Sequence, residues 1–256
     1  MNASPPQVAV LIPCYNEEIT IGKVIDDFRR ELPEASIYVF DNNSTDRTAE
    51  IAAEKNVVVI KEKRQGKGFV IGSMFKKVEA DLFVMVDGDD TYPAESVHKL
   101  MQPVLNEDAD MTVGARLNKP KSKAFKPLNL FGNYLVVKLV NNIFDSNMTD
   151  IMSGYRVFNR SFVKNIPLIS KGFEVETQLV IQSLYYDFKI QEVDIELRER
   201  PDGSFSKLNA VKDGIHVLLT IVNIAKAYRP LFFFGIIGGF ILLCGLILGG
   251  IPITEF

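Results

Sequence analysis

Residues 82–93 read Leu82-Phe83-Val84-Met85-Val86-Asp87-Gly88-Asp89-Asp90-Thr91-Tyr92-Pro93, an apolar run that passes straight into three carboxylates and a turn. A short apolar stretch bounded by glycine and proline reads as a buried strand, with polar chemistry starting at its carboxyl end. The layout recurs upstream. Val8 to Cys14 leads into Tyr15-Asn16-Glu17, and Ile37 to Asp41 leads into Asn42-Asn43-Ser44. Val57 to Lys61 and Met111 to Ala115 read as two further strands. Helical periodicity covers Glu17 to Leu32, Thr45 to Lys55, Lys67 to Val78 and Ala94 to Asn106, with a kink expected at Pro103. This alternation with short connections predicts βαβ units, hence an α/β fold with a mostly parallel sheet. Ligands of such sheets bind beyond the carboxyl ends of the strands, where the polar clusters stand.

Further along, a basic loop (Asn118 to Lys123) precedes a helical stretch from Leu128 to Phe144. A short strand after Ser153-Gly154-Tyr155-Arg156, a helix over about Glu174 to Tyr186 and a strand over Ile190 to Arg198 follow. Leu208, Val211, Ile215, Leu218, Leu219 and Val222 then recur at three and four residues, the mark of an amphipathic helix. Packing on the sheet and lying on a membrane surface are both open to that helix. Leu231 to Gly250 is uncharged and apolar, and twenty residues at ~1.5 Å rise can cross a ~30 Å hydrocarbon core.

The 256 residues are 47% hydrophobic and 24% charged with net charge −3, a globular composition that excludes disorder and a disulfide-stapled scaffold. The mean hydropathy of +0.09 owes its sign to the final apolar run. Cys14 and Cys244 offer no disulfide framework, which fits a reducing compartment. Val8 to Ile12 is too short for a signal peptide, and Lys226 and Arg229 before the apolar run predict a cytoplasmic domain by the positive-inside rule. The acidic balance and lack of a basic aromatic patch argue against a nucleic-acid partner.

Asp87, Asp89 and Asp90 repel one another at close quarters, a cost that a divalent cation offsets. Hard oxygen ligands suit Mg²⁺ or Mn²⁺ bridging to a diphosphate. An acidic turn is the plain alternative. Gly88 lets the backbone approach a ligand closely. Asp41 can accept a hydrogen bond from a ribose hydroxyl or a base N–H, while Ser44 suits a helix cap. Glu17 and Glu18 also suit the start of a helix through its dipole.

Taken in order, Val10 to Glu18, Asp41 to Asp46, Asp87-Gly88-Asp89, Gly114-Ala115-Arg116 and Asp150 to Arg156 resemble glycosyltransferase family 2 over about residues 8–230. Within it the likeness is to the polyprenyl-phosphate glycosyltransferases, the group of the dolichol-phosphate mannose synthases and bactoprenol glucosyltransferases. The resemblance implies a glycosyltransferase-A fold, Rossmann-like, that binds a UDP- or GDP-linked sugar. Carried over by position, Pro13, Tyr15, Glu17 and Asp41 bind base and ribose, and Asp87, Gly88 and Asp89 meet ribose, diphosphate and metal. Arg116 binds phosphate, a role that suits a bidentate guanidinium. Lys67, between two glycines, is a further donor-site candidate that a plain loop would also explain. Arg198, Arg200 and Lys207 match a basic loop near the donor diphosphate and the acceptor phosphate. Asp150 either orients the sugar, acts as base toward a hydroxyl acceptor, or caps a turn. The chain departs from dolichol members at Thr91, where glutamine is frequent; at Glu174, near a usual lysine; and at Lys123, Lys126 and Asn129, where an arginine precedes the acceptor helix.

The expected reaction is inverting, metal-dependent transfer of a sugar to undecaprenyl or dolichyl phosphate. The expected organisation is a catalytic domain over 1–206, an amphipathic juxtamembrane helix over 207–229 and a transmembrane segment over 230–256. Relatives often carry at least two spanning helices, so that segment reads as shortened, and a single anchor leaves a homo-oligomer in the membrane open. Three competing readings fit less well. Processive saccharide-hydroxyl transferases usually carry QxxRW, and this chain has no tryptophan. A sugar nucleotidyltransferase needs a glycine-rich loop after the first strand, where Pro13-Cys14-Tyr15-Asn16 stands. A non-catalytic nucleotide-binding scaffold would be expected to have lost one of the paired aspartates.

Overall fold

A computed structural model describes residues 5–116, 127–207 and 210–254. The expected basic loop from Asn118 to Lys123, together with Lys126 and Leu208, lies outside the described residues. The strands are β1 Val8–Cys14, β2 Ser36–Asp41, β3 Val58–Lys61, β4 Leu82–Met85, β5 Met111–Ala115, β6 Arg156–Asn159 and β7 Ile190–Asp194. They form one sheet in the order β3-β2-β1-β4-β6-β5-β7. Every pairing is parallel except the two made by β6.

Helices α1 Ile21–Glu31, α2 Thr48–Glu54, α3 Lys67–Lys77 and α4 Val97–Leu105 connect the first five strands. Alternate residues of β1 and β4 enter opposite cores. Leu11, Phe83 and Met85 pack with α3 residues on one face, and Val10, Ile12 and Val84 pack with α1 and α4 residues on the other. A strand buried on both faces is apolar without alternation, which is why these runs are continuous.

Two features of the topology create the site. The chain steps outward from β1 through β2 to β3 and then returns to place β4 on the other side of β1. That reversal opens a crevice at the carboxyl ends of β1 and β4, the switch point at which such folds bind ligands. Register aligns the rim, with Cys14 beside Asp41 and Asp41 beside Lys61. The second feature is β6, which runs antiparallel between β4 and β5. A reversed strand brings the residues before it, Asp150 to Tyr155, to the rim that parallel strands supply with residues after them.

The remaining helices are α5 Pro127–Phe144, α6 Arg160–Asn165, α7 Val175–Tyr185, α8 Ala210–Tyr228 and α9 Pro230–Thr254. Helix α8 contacts α5 and α7. It buries Val217, Ile221 and Ala225, while Ile215, Leu219 and Val222 remain about half exposed on another side. The packing partners of its buried strip are the helices α5 and α7. Among the described residues one helical span is long and apolar enough to cross a membrane, Pro230–Leu248, and none of it is buried in the protein. The first helix begins at Ile21 rather than Glu17, because residues 17–20 form a turn in which the Glu17 carbonyl accepts from Thr20 N at 3.1 Å.

Candidate active site

The rim begins with two loops tied together. Asn16 takes a left-handed φ of 54°, which Asn tolerates better than most residues. Its amide donates to Ser44 Oγ at 3.0 Å and its side-chain oxygen accepts from Thr45 N at 2.8 Å. The Glu17 amide donates to Thr48 Oγ1 at 2.8 Å. Pro13 lies within β1, Tyr15 stands exposed on the lip, and Asp41 is buried with Oδ1 accepting from Ser44 N at 3.1 Å. Ser44 does not cap α2, which follows Arg47; it joins Asp41 and Asn16 instead. Asn42 continues the stitching, accepting from Gly66 N at 2.7 Å and donating to the Glu62 and Arg64 carbonyls.

Beyond β4, Gly88 accepts from Thr20 Oγ1 at 2.6 Å through its carbonyl, and a Cβ there would lie 2.6 Å from Cys14 Sγ. Only glycine lets the two rim segments meet so closely. The aspartates on either side diverge. Asp87 Oδ1 accepts from Lys67 Nζ at 2.6 Å, and the same ammonium donates to Glu176 Oε1 at 2.6 Å. Burial disfavours the Lys67 ammonium, but the two carboxylates more than offset this and hold it well above its ordinary range. Asp89 accepts from Thr91 N and Oγ1 at 3.1 and 2.6 Å and pairs with Arg200. Asp90, with φ 57°, turns away to Lys23 at 2.8 Å.

Arg116 and Asp150 form a bidentate pair. The Arg116 Nε and Nη2 donate at 2.6 and 2.8 Å, and its amide adds a third bond at 3.0 Å. Burial would raise the Asp150 carboxyl, but Arg116 outweighs it and keeps the acid below its usual range. Tyr92 joins this pair to the 150–156 loop, its hydroxyl accepting from Arg116 Nη1 at 3.4 Å and Gly154 N at 2.9 Å. A side chain on Gly154 would press into the Asp87 carboxylate.

The segment 198–207 crosses the rim as a strap. Besides the Arg200–Asp89 pair, Lys207 Nζ donates to Asn16 O at 2.7 Å and meets Glu17 Oε1 at 2.8 Å. Burial raises the Glu17 carboxyl in spite of Lys207. Arg198 does not pair with Asp87 or Asp89; it binds Asp27, Asp90 and Glu95 at 3.2, 3.5 and 2.7 Å. Twelve of the thirteen expected residues therefore line or tie the rim, and Arg198 anchors the strap behind it.

Residues 9–166 match the model of the glycosyl transferase family 2 domain, and these residues carry β1 through β6 and most of the rim. The chain belongs to glycosyl transferase family 2. The enzyme is 34% identical over 236 residues, 92% of its chain and 77% of the relative, to the glycosyltransferase AglJ of Haloferax volcanii. It is 29% identical to the dolichyl-phosphate hexose transferase of the same organism, over 87% of its chain and 95% of the relative. These relatives support its place in the polyprenyl-phosphate group of the family. Its fold matches the glucosyl-3-phosphoglycerate synthase of Mycobacterium tuberculosis, solved with Mn²⁺, UDP-glucose and phosphoglyceric acid, with a TM-score of 0.71, 21% identity, and coverage of 86% and 80% of the two chains. The glycosyltransferase-A architecture is thereby established.

Among the described residues of the glycosyltransferase, no cluster of three His, Cys, Asp or Glu side chains is spaced to cage an ion. Asp87 and Asp89 instead suit Mg²⁺ or Mn²⁺ held by one or two carboxylates and completed by substrate phosphate and water. Three residues with rim roles were not assigned them from sequence. Glu176 begins a helix, where a glutamate is ordinarily a dipole complement. Tyr92 reads as a turn residue. Arg156 is fully buried, donating to the Ser153, Ile151 and Glu176 carbonyls at 2.9, 2.6 and 3.0 Å. It thereby fixes the 150–154 loop against α7, and burial lowers its pKa.

Proposed function

We propose that this glycosyltransferase moves a hexose, with inversion, from a UDP- or GDP-linked donor to the phosphate of a polyprenyl lipid at the cytoplasmic membrane surface. The observation that carries the reading is the course of the strap. Its Arg200 and Lys207 sit on the acidic donor rim, and α8 begins three residues after Lys207 and leads into the apolar α9. An anion held at the strap while attached to the membrane is a lipid phosphate. The half-exposed Ile215, Leu219 and Val222 suit contact with the headgroup layer.

The reaction forms a bond between a lipid phosphate oxygen and the anomeric carbon and breaks the bond from that carbon to the diphosphate, which leaves with the electron pair. A phosphomonoester with a second pKa of ~6 is largely a dianion at neutral pH, so no strong base is needed. The state of Asp150 supports this acceptor over a hydroxyl. Both its oxygens are engaged by Arg116 and its acidity is enhanced, which makes it a poor proton acceptor. Its role is to set Arg116 toward the phosphates. Tyr15, Glu17 and Asp41 receive base and ribose at the β1–β2 rim. Arg200 and Lys207 exchange their carboxylate partners for substrate phosphates, and Arg198 holds the strap's root. Asp89, with Asp87 in support, would hold a divalent cation, which would supply charge neutralisation for the departing diphosphate.

The test incubates membranes carrying the protein with labelled nucleotide sugars and polyprenyl phosphate, with and without EDTA. Label is expected in the lipid phase for one donor, and loss of that label with EDTA is expected. Label remaining aqueous for every donor refutes the proposal.

A further inference from the structure

The two rim aspartates are neutralised by cations in different surroundings. Arg200 comes from the strap, with its side chain 25% exposed and its Nη1 also donating to Ser204 Oγ and the Phe205 carbonyl. Lys67 is more enclosed. Its side chain is only 10% exposed, it opens α3, and it stands between Gly66 and Gly68, whose missing side chains let the turn press against the Lys171 and Ser170 carbonyls. Its ammonium is shared between Asp87 on the rim and Glu176 on α7, and Glu176 is itself almost fully buried.

This bears on how the aspartate pair can take a divalent cation. A cation drawing on Asp87 competes with Lys67 and repels it. An ammonium that lost its sole carboxylate while buried would be left uncompensated, a strongly unfavourable state. We propose that Glu176 is a positioning residue, the carboxylate that retains Lys67 when a divalent cation takes Asp87. One ammonium between two anions leaves a net negative charge to be matched at Asp87. Arg156 secures the arrangement, because it donates to the Glu176 carbonyl and so fixes the first turn of α7. The inference rests on the metal reading above and adds a residue that does not itself touch the ion.

The experiment measures Mn²⁺ binding by the full-length protein in detergent micelles, from the electron paramagnetic resonance signal of the free aquo ion, with UDP and then GDP present. Glu176→Gln keeps the shape and removes the charge, and is expected to weaken Mn²⁺ binding about tenfold. Removing the competitor as well, in Lys67→Gln/Glu176→Gln, is expected to restore affinity to within about threefold of wild type, a non-additivity that a structural role would not produce. Thermal melts check folding. Should Glu176→Gln not fold, Glu176→Asp retains the charge and is expected to bind within about threefold of wild type, and Lys67→Gln alone at least as tightly as wild type. Unchanged binding in Glu176→Gln, a double variant no better than the single one, or a weakened Lys67→Gln overturns the proposal. Wild-type protein that binds no Mn²⁺ with either nucleotide removes the metal reading and this inference together.

Discussion

Arg116 and Arg200 both offer guanidinium groups to aspartates at the carboxyl end of one sheet, yet they are built to different ends. Arg116 closes a bidentate pair with the fully buried Asp150, and Tyr92 and the 150–156 loop brace it. Arg200 reaches Asp89 from a strap that is partly open to solvent. Breaking a buried pair by removing one partner costs about 3–5 kcal/mol, a value that falls toward about 0–1 kcal/mol as a pair opens to solvent, and Arg200 at 25% exposed is the more open of the two arginines. The first pair is therefore the more firmly braced of the two, although both lie close to the expected diphosphate. Proximity to the rim does not make two arginines equivalent.

The comparison can be broken at the shared acidic floor. Asp89→Ala is expected to lower transfer about a thousandfold while leaving the melting temperature near that of wild type, measured by label transfer to lipid and thermal unfolding. Retained activity would remove Asp89 from the metal and phosphate chemistry. Asp150→Asn tests the scaffold and should lose about 3 kcal/mol of stability together with most activity.

The same variant has a pH signature. The folded Asp150 carboxyl is more acidic than an unfolded one, so its contribution is complete above about pH 4 and is lost as the pH falls below that value. Melting temperature plotted against pH should therefore fall less steeply below about pH 4 in Asp150→Asn than in wild type. An identical acid limb would contradict the assigned pair.

Arg200→Ala sharpens the contrast from the more open side. Transfer should drop roughly tenfold to a hundredfold with a melting temperature within about 2 °C of wild type. A large stability loss would mean that the strap is part of the scaffold. The smallest effect is expected from replacing Ile215, Leu219 and Val222 together by serine. Because α9 remains, the protein should stay with the membrane while the KM for polyprenyl phosphate rises about threefold and the KM for the nucleotide sugar is unchanged.

Much of this site was legible because parallel strands leave their functional residues immediately after apolar runs. Asp41, Asp87 and Asp89 could be placed on one rim from spacing, and the resemblance added Arg116 and the strap. Glu176 could not be found in that way. A glutamate in the first turn of a helix looks the same whether it complements the dipole or holds a buried lysine 109 residues away. Arg198 shows the converse limit. It stands two positions before Arg200 in a basic loop, yet the strap turns it onto Asp27, Asp90 and Glu95. The helical stretch after Lys207 was left open between two surfaces because periodicity locates an apolar strip but not its partner; α8 has one strip against α5 and α7 and another exposed.

By itself the sequence determined the α/β class, the succession of β1 to β5, the polar rim and the membrane-length apolar helix, since each depends on local periodicity and residue type. Tertiary structure alone decided the reversal of β6, the closure of Arg116 on Asp150, the division of Lys67 between Asp87 and Glu176, and the separation of Arg198 from Arg200. These depend on contacts between segments far apart in the chain, where burial and charge pairing select one partner among several that the sequence leaves equivalent.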